Sequence, residues 1–135
     1  MQFSPTSEEQ VLLSEFSSHE RFEYAIPRIF ECEEVWGLGD DNGWLIRDVD
    51  DKEIISIWPY KSMAEAYTTG ELKGNKPICV SLEYFLYRLL KQCEENDVFF
   101  EVNPAPHTQG YIVSAKDLFS TFEDMVESGS YFLEG

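Results

Sequence analysis

One helical stripe constrains this chain more than any other feature. Leu82, Phe85, Leu86, Leu89, Leu90 and Cys93 recur at i, i+3, i+4, i+7, i+8 and i+11. That spacing lines one side of an α-helix with apolar side chains, which must be buried against other apolar surface. Ser81 precedes the stripe as its expected N-cap. The short run Pro77-Ile78-Cys79-Val80 reads as a buried strand feeding it. A helix of this kind needs another apolar surface to receive it, and strand signals lie upstream.

Between Val35 and Trp58 the period changes from helical to extended. Val35-Trp36-Gly37-Leu38 is a strand signal, and Gly39-Asp40-Asp41-Asn42-Gly43 is a turn of residues that tolerate positive φ. Trp44-Leu45-Ile46-Arg47 is the return strand, Asp48 to Lys52 a second turn, and Glu53 to Trp58 a β-branched third strand stopped by Pro59. Together they predict a three-stranded antiparallel meander, with Trp36 and Trp44 close on one of its faces.

The flanking segments read as follows. Ser7-Glu8-Glu9-Gln10 is a capping box that opens a helix carrying Val11, Leu12 and Phe16 and ending near Ser17. Ser18 caps a second helix with Phe22, Ala25, Ile26, Ile29 and Phe30 at helical spacing, and Pro27 predicts a kink or break near Tyr24 to Ile26. Ser62-Met63-Ala64-Glu65 is another capping box, for a short helix that Gly70 ends. Val98 to Val102 is a strand ended by Asn103-Pro104, and a loop from Ala105 to Gly110 leads to the strand Tyr111-Ile112-Val113. Ser114 with Asp117 caps a last helix, whose Leu118, Phe119, Phe122, Met125 and Val126 are expected to face inward until Gly129. The expected fold is α+β. N-terminal helices and the meander are followed by helix-strand-helix-strand-strand-helix, packed on one mixed or mostly antiparallel sheet. A single domain is expected over residues 1–135, with its core in 7–128 and a tail at 130–135.

Charge narrows the function. Of 135 residues, 26 are acidic and 10 basic, a formal net charge of −16. Ten Phe, seven Tyr and three Trp supply far more apolar area than a disordered chain carries. Nucleic acid and anionic membranes would meet a repelling surface. No apolar run is long enough to span a bilayer, and the start Met1-Gln2-Phe3-Ser4-Pro5 has neither the basic nor the apolar region of a signal peptide. A cytoplasmic location is expected. Cys32, Cys79 and Cys93 show no framework spacing and read as small core hydrophobes. The acids are spread over helix faces and turns, and do not form one tail.

Chemical motifs are few. Gly37-x-Gly39-x-x-x-Gly43 joins two strands, so it is a hairpin signal and not a dinucleotide loop. Counting a calcium loop from Asp48 places Lys52, Glu53 and Pro59 where a ligand, glycine and glutamate are needed, and the pattern fails. His19 and His107 are far apart, with no zinc spacing. No metal, cofactor or catalytic residue is assigned. The informative residues are Trp36, Trp44, Trp58 and Tyr60, as core anchors or as an acid-rimmed aromatic patch, and Asn103 and His107 in the stiff loop region. The leading expectation is a non-enzymatic interaction module, monomeric or dimeric, for a basic protein. The alternatives are a small-ligand-binding or hydrolytic enzyme with a pocket near the Asn103–Gly110 loop, and a structural or regulatory homodimer.

Val35-Trp36-Gly37-Leu38, Gly43-Trp44 and Ile57-Trp58-Pro59 with Ala64, then Lys76-Pro77-Ile78-Cys79-Val80-Ser81-Leu82-Glu83-Tyr84-Phe85-Leu86, then Asn103-Pro104 with Gly110, form an ordered set. Together they resemble the bacterial family catalogued as domain of unknown function 2750, over roughly Ser7 to Ser128. More distantly, the element order and the Asn-Pro motif are similar to the N-terminal domain of the enhanced-serine-sensitivity protein B family. The resemblance implies a bacterial protein of this fold and carries over no catalytic residue.

Overall fold

Ser17, one residue before the expected cap, opens the first helix. Its Oγ accepts the Glu20 N–H at 3.2 Å while Glu20 Oε1 accepts the Ser17 N–H at 3.0 Å, a complete capping box. The computed structural model describes residues 15–40, 43–68, 75–105 and 108–128. The helix expected from Ser7 as far as residue 14, Asp41-Asn42, Gly70, His107 and the tail from Ser130 lie outside the described residues.

Helix α1 (Ser18–Cys32) runs through Pro27 without a break, contrary to the expected interruption. Pro27 leaves the Glu23 carbonyl without its usual donor. One residue on, Arg28 Nη1 donates to the Tyr24 carbonyl at 2.9 Å and its guanidinium lies 3.6 Å from the Tyr24 ring centroid. These contacts hold the turn together locally. Burial of Ala25, Ile26, Ile29 and Phe30 supplies the larger stabilisation.

The strands are β1 (Glu34–Asp40), β2 (Gly43–Trp44), β3 (Arg47–Val49), β4 (Lys52–Ile57), β5 (Lys76–Ser81), β6 (Val98–Val102) and β7 (Tyr111–Ser114). A short helix α2 (Lys61–Ala66) follows β4, and α4 (Ala115–Ser128) closes the fold. Helix α3 is composite: α-helical Leu82–Tyr84, π-helical Phe85–Leu89 and α-helical Leu90–Glu95. The α+β class and the element order are as expected. The single sheet is replaced by two: β2-β1-β5 is entirely antiparallel, and β3-β4-β6-β7 is mixed, with β4 and β6 parallel.

The reason lies in the return strand. Trp36 and Trp58 exchange a reciprocal pair of backbone hydrogen bonds, at 3.0 and 2.8 Å. This brings β1 directly against the end of β4. No third strand fits between them, so the segment Trp44–Arg47 divides. Its start pairs with β1, Gly39 opposite Trp44, and its end pairs with β4, Arg47 opposite Ile54. The second turn is tighter than the expected five residues. Val49 pairs with Lys52, and Asp50 and Asp51 sit at φ 51° and 65°, the two-residue turn whose twist matches the strands.

The main core joins α1, α3 and α4 to one face of both sheets. All six residues of the predicted stripe are buried, and Ser81 caps the helix as expected, accepting the Tyr84 N–H at 3.1 Å. Nothing in the periodicity signals the wider π turn. Ser114 caps α4 through the Asp117 N–H, and Leu118 and Phe122 are buried. Val126 is 47% exposed, so the inward face ends a turn earlier than expected. The expected Ser62 cap is absent: α2 begins after Tyr60 with no side-chain cap bond.

Candidate functional site: a cleft on the sheet face away from the long helices

Strand alternation assigns the faces of the four-stranded sheet. Ile55, Ile57, Val98, Phe100, Val102 and Val113 belong to the main core. Their neighbours Ile54, Ser56, Glu101 and Ile112 therefore point to the other face. Pairing of Ser56 with Glu101 and of Arg47 with Ile54 then brings Arg47, Ser56 and Glu101 together on that face, across three strands.

They form one hydrogen-bonded group. Arg47 Nη2 donates to Glu101 Oε1 at 2.7 Å and to Ser56 Oγ at 3.0 Å. Ser56 Oγ donates to Glu101 Oε1 at 3.3 Å, and the Gly110 N–H donates to Glu101 Oε2 at 3.0 Å. The side chains of Arg47 and Glu101 are 26% and 8% exposed, so the pair is well shielded, and charge-assisted bonds of this kind are short and directional. A side chain at Gly110 would strike the Val102 carbonyl at 2.5 Å. Glycine there lets the loop close onto Glu101.

Arg47 and Glu101 of this group form the floor of a cleft of about 440 Å³ lined also by Val49, Asp50, Ile54, Tyr67, Ala105, Thr108, Gln109 and Ile112. Tyr67 faces the guanidinium, with Arg47 Cζ 5.6 Å from its ring centroid. Burial pushes the Tyr67 phenol above its ordinary pKa, the Glu101 charge adds to the rise, and Arg47 opposes it. The phenol is therefore neutral and a hydrogen-bond donor at neutral pH. Arg47 Nη2 donates to Glu101 and to Ser56, a further side-chain hydrogen bond joins the guanidinium to Tyr67, and N–H groups remain over from the five that a guanidinium carries. The floor thus presents donors to the cleft.

The residues singled out in the sequence sit elsewhere. Trp58 is fully buried, and its indole N–H donates to the Pro104 carbonyl at 2.7 Å. It centres a second cluster with Leu38 and Ala64, against which Trp36, Leu45, Met63 and Tyr67 pack. Trp44 packs on the main core and against Gly37, where an added Cβ would lie 2.0 Å from the ring. Opposed to Gly39, Trp44 shares the face of Val35 and Gly37, and Trp36 takes the opposite one. The expectation that Trp36 and Trp44 lie together is overturned by this register. Tyr60 is half-buried at the start of α2.

Asn103 is wholly buried in the left-handed region at φ 62°. Its N–H donates to the Ile57 carbonyl at 2.8 Å and its Nδ2 to the Arg21 carbonyl at 3.2 Å, while Arg21 Nε donates back to the Asn103 carbonyl. Arg21 is 2% exposed, and burial lowers its pKa. The Asn-Pro motif therefore locks the end of β6 to α1 and to Trp58. It holds the base of the loop that walls the cleft without lining the cleft itself. His107, expected beside it, lies outside the described residues.

Arg47, Glu101 and Tyr67 were not singled out from the sequence. Glu101 did leave a signal: a lone acid in the apolar strand Val98-Phe99-Phe100-Glu101-Val102 needs a buried partner. Which cation answers it depends on pairing across strands.

Of the three cysteines expected in the core, Cys93 is buried there, whereas Cys32 and Cys79 are half-buried. Burial, reinforced by a 3.2 Å hydrogen bond to Glu34 Oε2, pushes the Cys79 thiol up to about 12, and burial pushes Cys93 up to about 11. Burial also raises Cys32. No group of three or more metal-ligating side chains occurs among the described residues, and none of their helices is long and apolar enough to cross a membrane.

Fold and site define an α+β protein with two sheets joined at one tryptophan pair and a donor-floored cleft on the face away from its long helices. Residues 22–122 match the family described as Protein of unknown function (DUF2750), and the chain belongs to that family. No curated protein matches it.

Proposed function

We propose that this protein is a non-enzymatic interaction module that holds a basic protein partner, with the cleft as the point of contact. The observation that carries this reading is the acidic hairpin Asp48-Val49-Asp50-Asp51 beside the cleft, in a chain of net charge −16. Opposed potentials speed encounter and disfavour wrong partners. Both Glu101 oxygens are already bonded to Arg47, Ser56 and Gly110, which suits a fixed recognition surface better than a group that shuttles protons. The test is capture from native extract at low salt, followed by titration of each purified captured protein. Affinity is expected to fall steeply as NaCl rises from about 0.05 M to about 0.5 M, as screening shortens the Debye length. A captured partner of acidic pI, or affinity indifferent to salt, sinks the proposal.

A second reading, a small-ligand site, is favoured by the cleft itself, whose volume lies within the range of about 300–1,000 Å³ usual for small-molecule pockets. It would show as a thermal shift with a small ligand and no protein captured.

A further inference from the structure

The cleft carries two kinds of recognition group. Its floor offers donors, the remaining N–H groups of Arg47 and the hydroxyl of Tyr67, which is hydrogen-bonded to that guanidinium, and its floor acceptor Glu101 is occupied. Its exposed rim carries Asp50, an acceptor. Around these groups the lining is apolar, with Ile54 beside Arg47 and Ile112 beside Glu101 in the strand pairing, and Val49 and Ala105 as further lining residues.

Charge decides what such a cleft takes. The lining side chains sum to one cation and two anions, on a strongly acidic chain. A simple anion meets Arg47 but is opposed by Asp50 and by the surrounding field. A simple cation is drawn to Asp50 but finds a guanidinium at the floor. A ligand with a carboxylate and a cation separated by an aliphatic stem satisfies both ends and covers the walls. Arg47 suits the carboxylate because its planar fork is already oriented by Glu101 and Ser56, so little freedom is lost on binding.

Resting on the proposed function, we infer that the cleft binds the C-terminal residue of the partner when that residue is lysine or arginine. The α-carboxylate sits on Arg47 and Tyr67, the side-chain stem lies along Val49, Ile54 and Ile112, and the cation reaches Asp50. Capture of a chain terminus by fixed donors is a recurrent mode of peptide recognition.

Calorimetry with short synthetic peptides tests this. Acetyl-Ala-Ala-Lys-Arg with a free carboxylate should bind, and the same peptide amidated at its C-terminus should bind at least about tenfold more weakly. Tyr67→Phe should shrink that difference between acid and amide. Asp50→Asn, at an exposed turn position that asparagine tolerates, should weaken both peptides while leaving the difference intact. Equal affinity for acid and amide, still dependent on salt, overturns the C-terminal inference and leaves the basic-partner proposal standing. Absence of binding by either peptide, together with capture that is indifferent to salt, overturns both. Free arginine binding as tightly as the peptide overturns the assignment to a protein terminus.

Discussion

At the scale of single residues, Asn103 shows how a loop motif can be structural. Its left-handed backbone suits asparagine better than most side chains, and its amide closes a reciprocal contact with Arg21 in the interior. Asn103→Ala removes the side-chain bond and places a Cβ-bearing residue in a disfavoured conformation. It should cost about 2–4 kcal/mol, read from urea unfolding. Asn103→Gly removes the same bond but relieves the backbone, and should recover about 1 kcal/mol of that loss; equal losses would show that backbone conformation plays no part. The thiols make a further prediction at this scale. Because burial raises all three, labelling by a disulfide reagent at pH 8 should be slow in the native protein and fast once it is unfolded. Rapid native labelling of Cys79 would contradict its shielding by Glu34.

At the scale of elements, the tryptophans divide the labour that the sequence suggested they share. Gly37 exists to admit the Trp44 ring, so Gly37→Ala should cost about 1–3 kcal/mol through overpacking and red-shift the tryptophan emission as the ring is displaced. In a Trp44→Ala background the same substitution should cost much less. The elements that were legible in advance are those whose signal is local. The Leu82–Cys93 stripe, the Ser81 and Ser114 caps and the succession of elements along the chain all follow from periodicity and capping chemistry. What escaped depends on pairing between distant segments. The split return strand follows from the meeting of Trp36 and Trp58, and the Arg47–Ser56–Glu101 group follows from strand order. No periodicity in one segment encodes either. The continuity of α1 through Pro27 is a third case, where core burial and the Arg28–Tyr24 contacts outweigh a local penalty.

At the scale of the whole molecule, acidity acts on stability as well as on partners. A net charge of −16 repels itself in the compact state, so Tm at pH 7 should rise as NaCl increases from about 0.01 M to about 0.2 M; an unchanged Tm would mean that the acids are already compensated. At alkaline pH the sign is fixed by the raised groups. Cys79 has an ordinary value of 9.0 and a folded value of about 12. Its contribution is fully present below pH 9.0 and is lost as pH rises toward about 12. Cys93 and Tyr67 act in the same direction. Unfolding free energy should therefore fall across that window, and Cys79→Ala should flatten the slope. The reciprocal pair between Trp36 and Trp58 has a different kind of consequence. It fixes both ends of the excursion that carries β2, β3 and the acidic hairpin, so chain inserted within that excursion leaves the join untouched. Closure entropy grows slowly, by about 0.6 kcal/mol for each doubling of loop length. The excursion is thus a tolerant graft site, where new sequence can change the wall of the cleft without re-engineering the core.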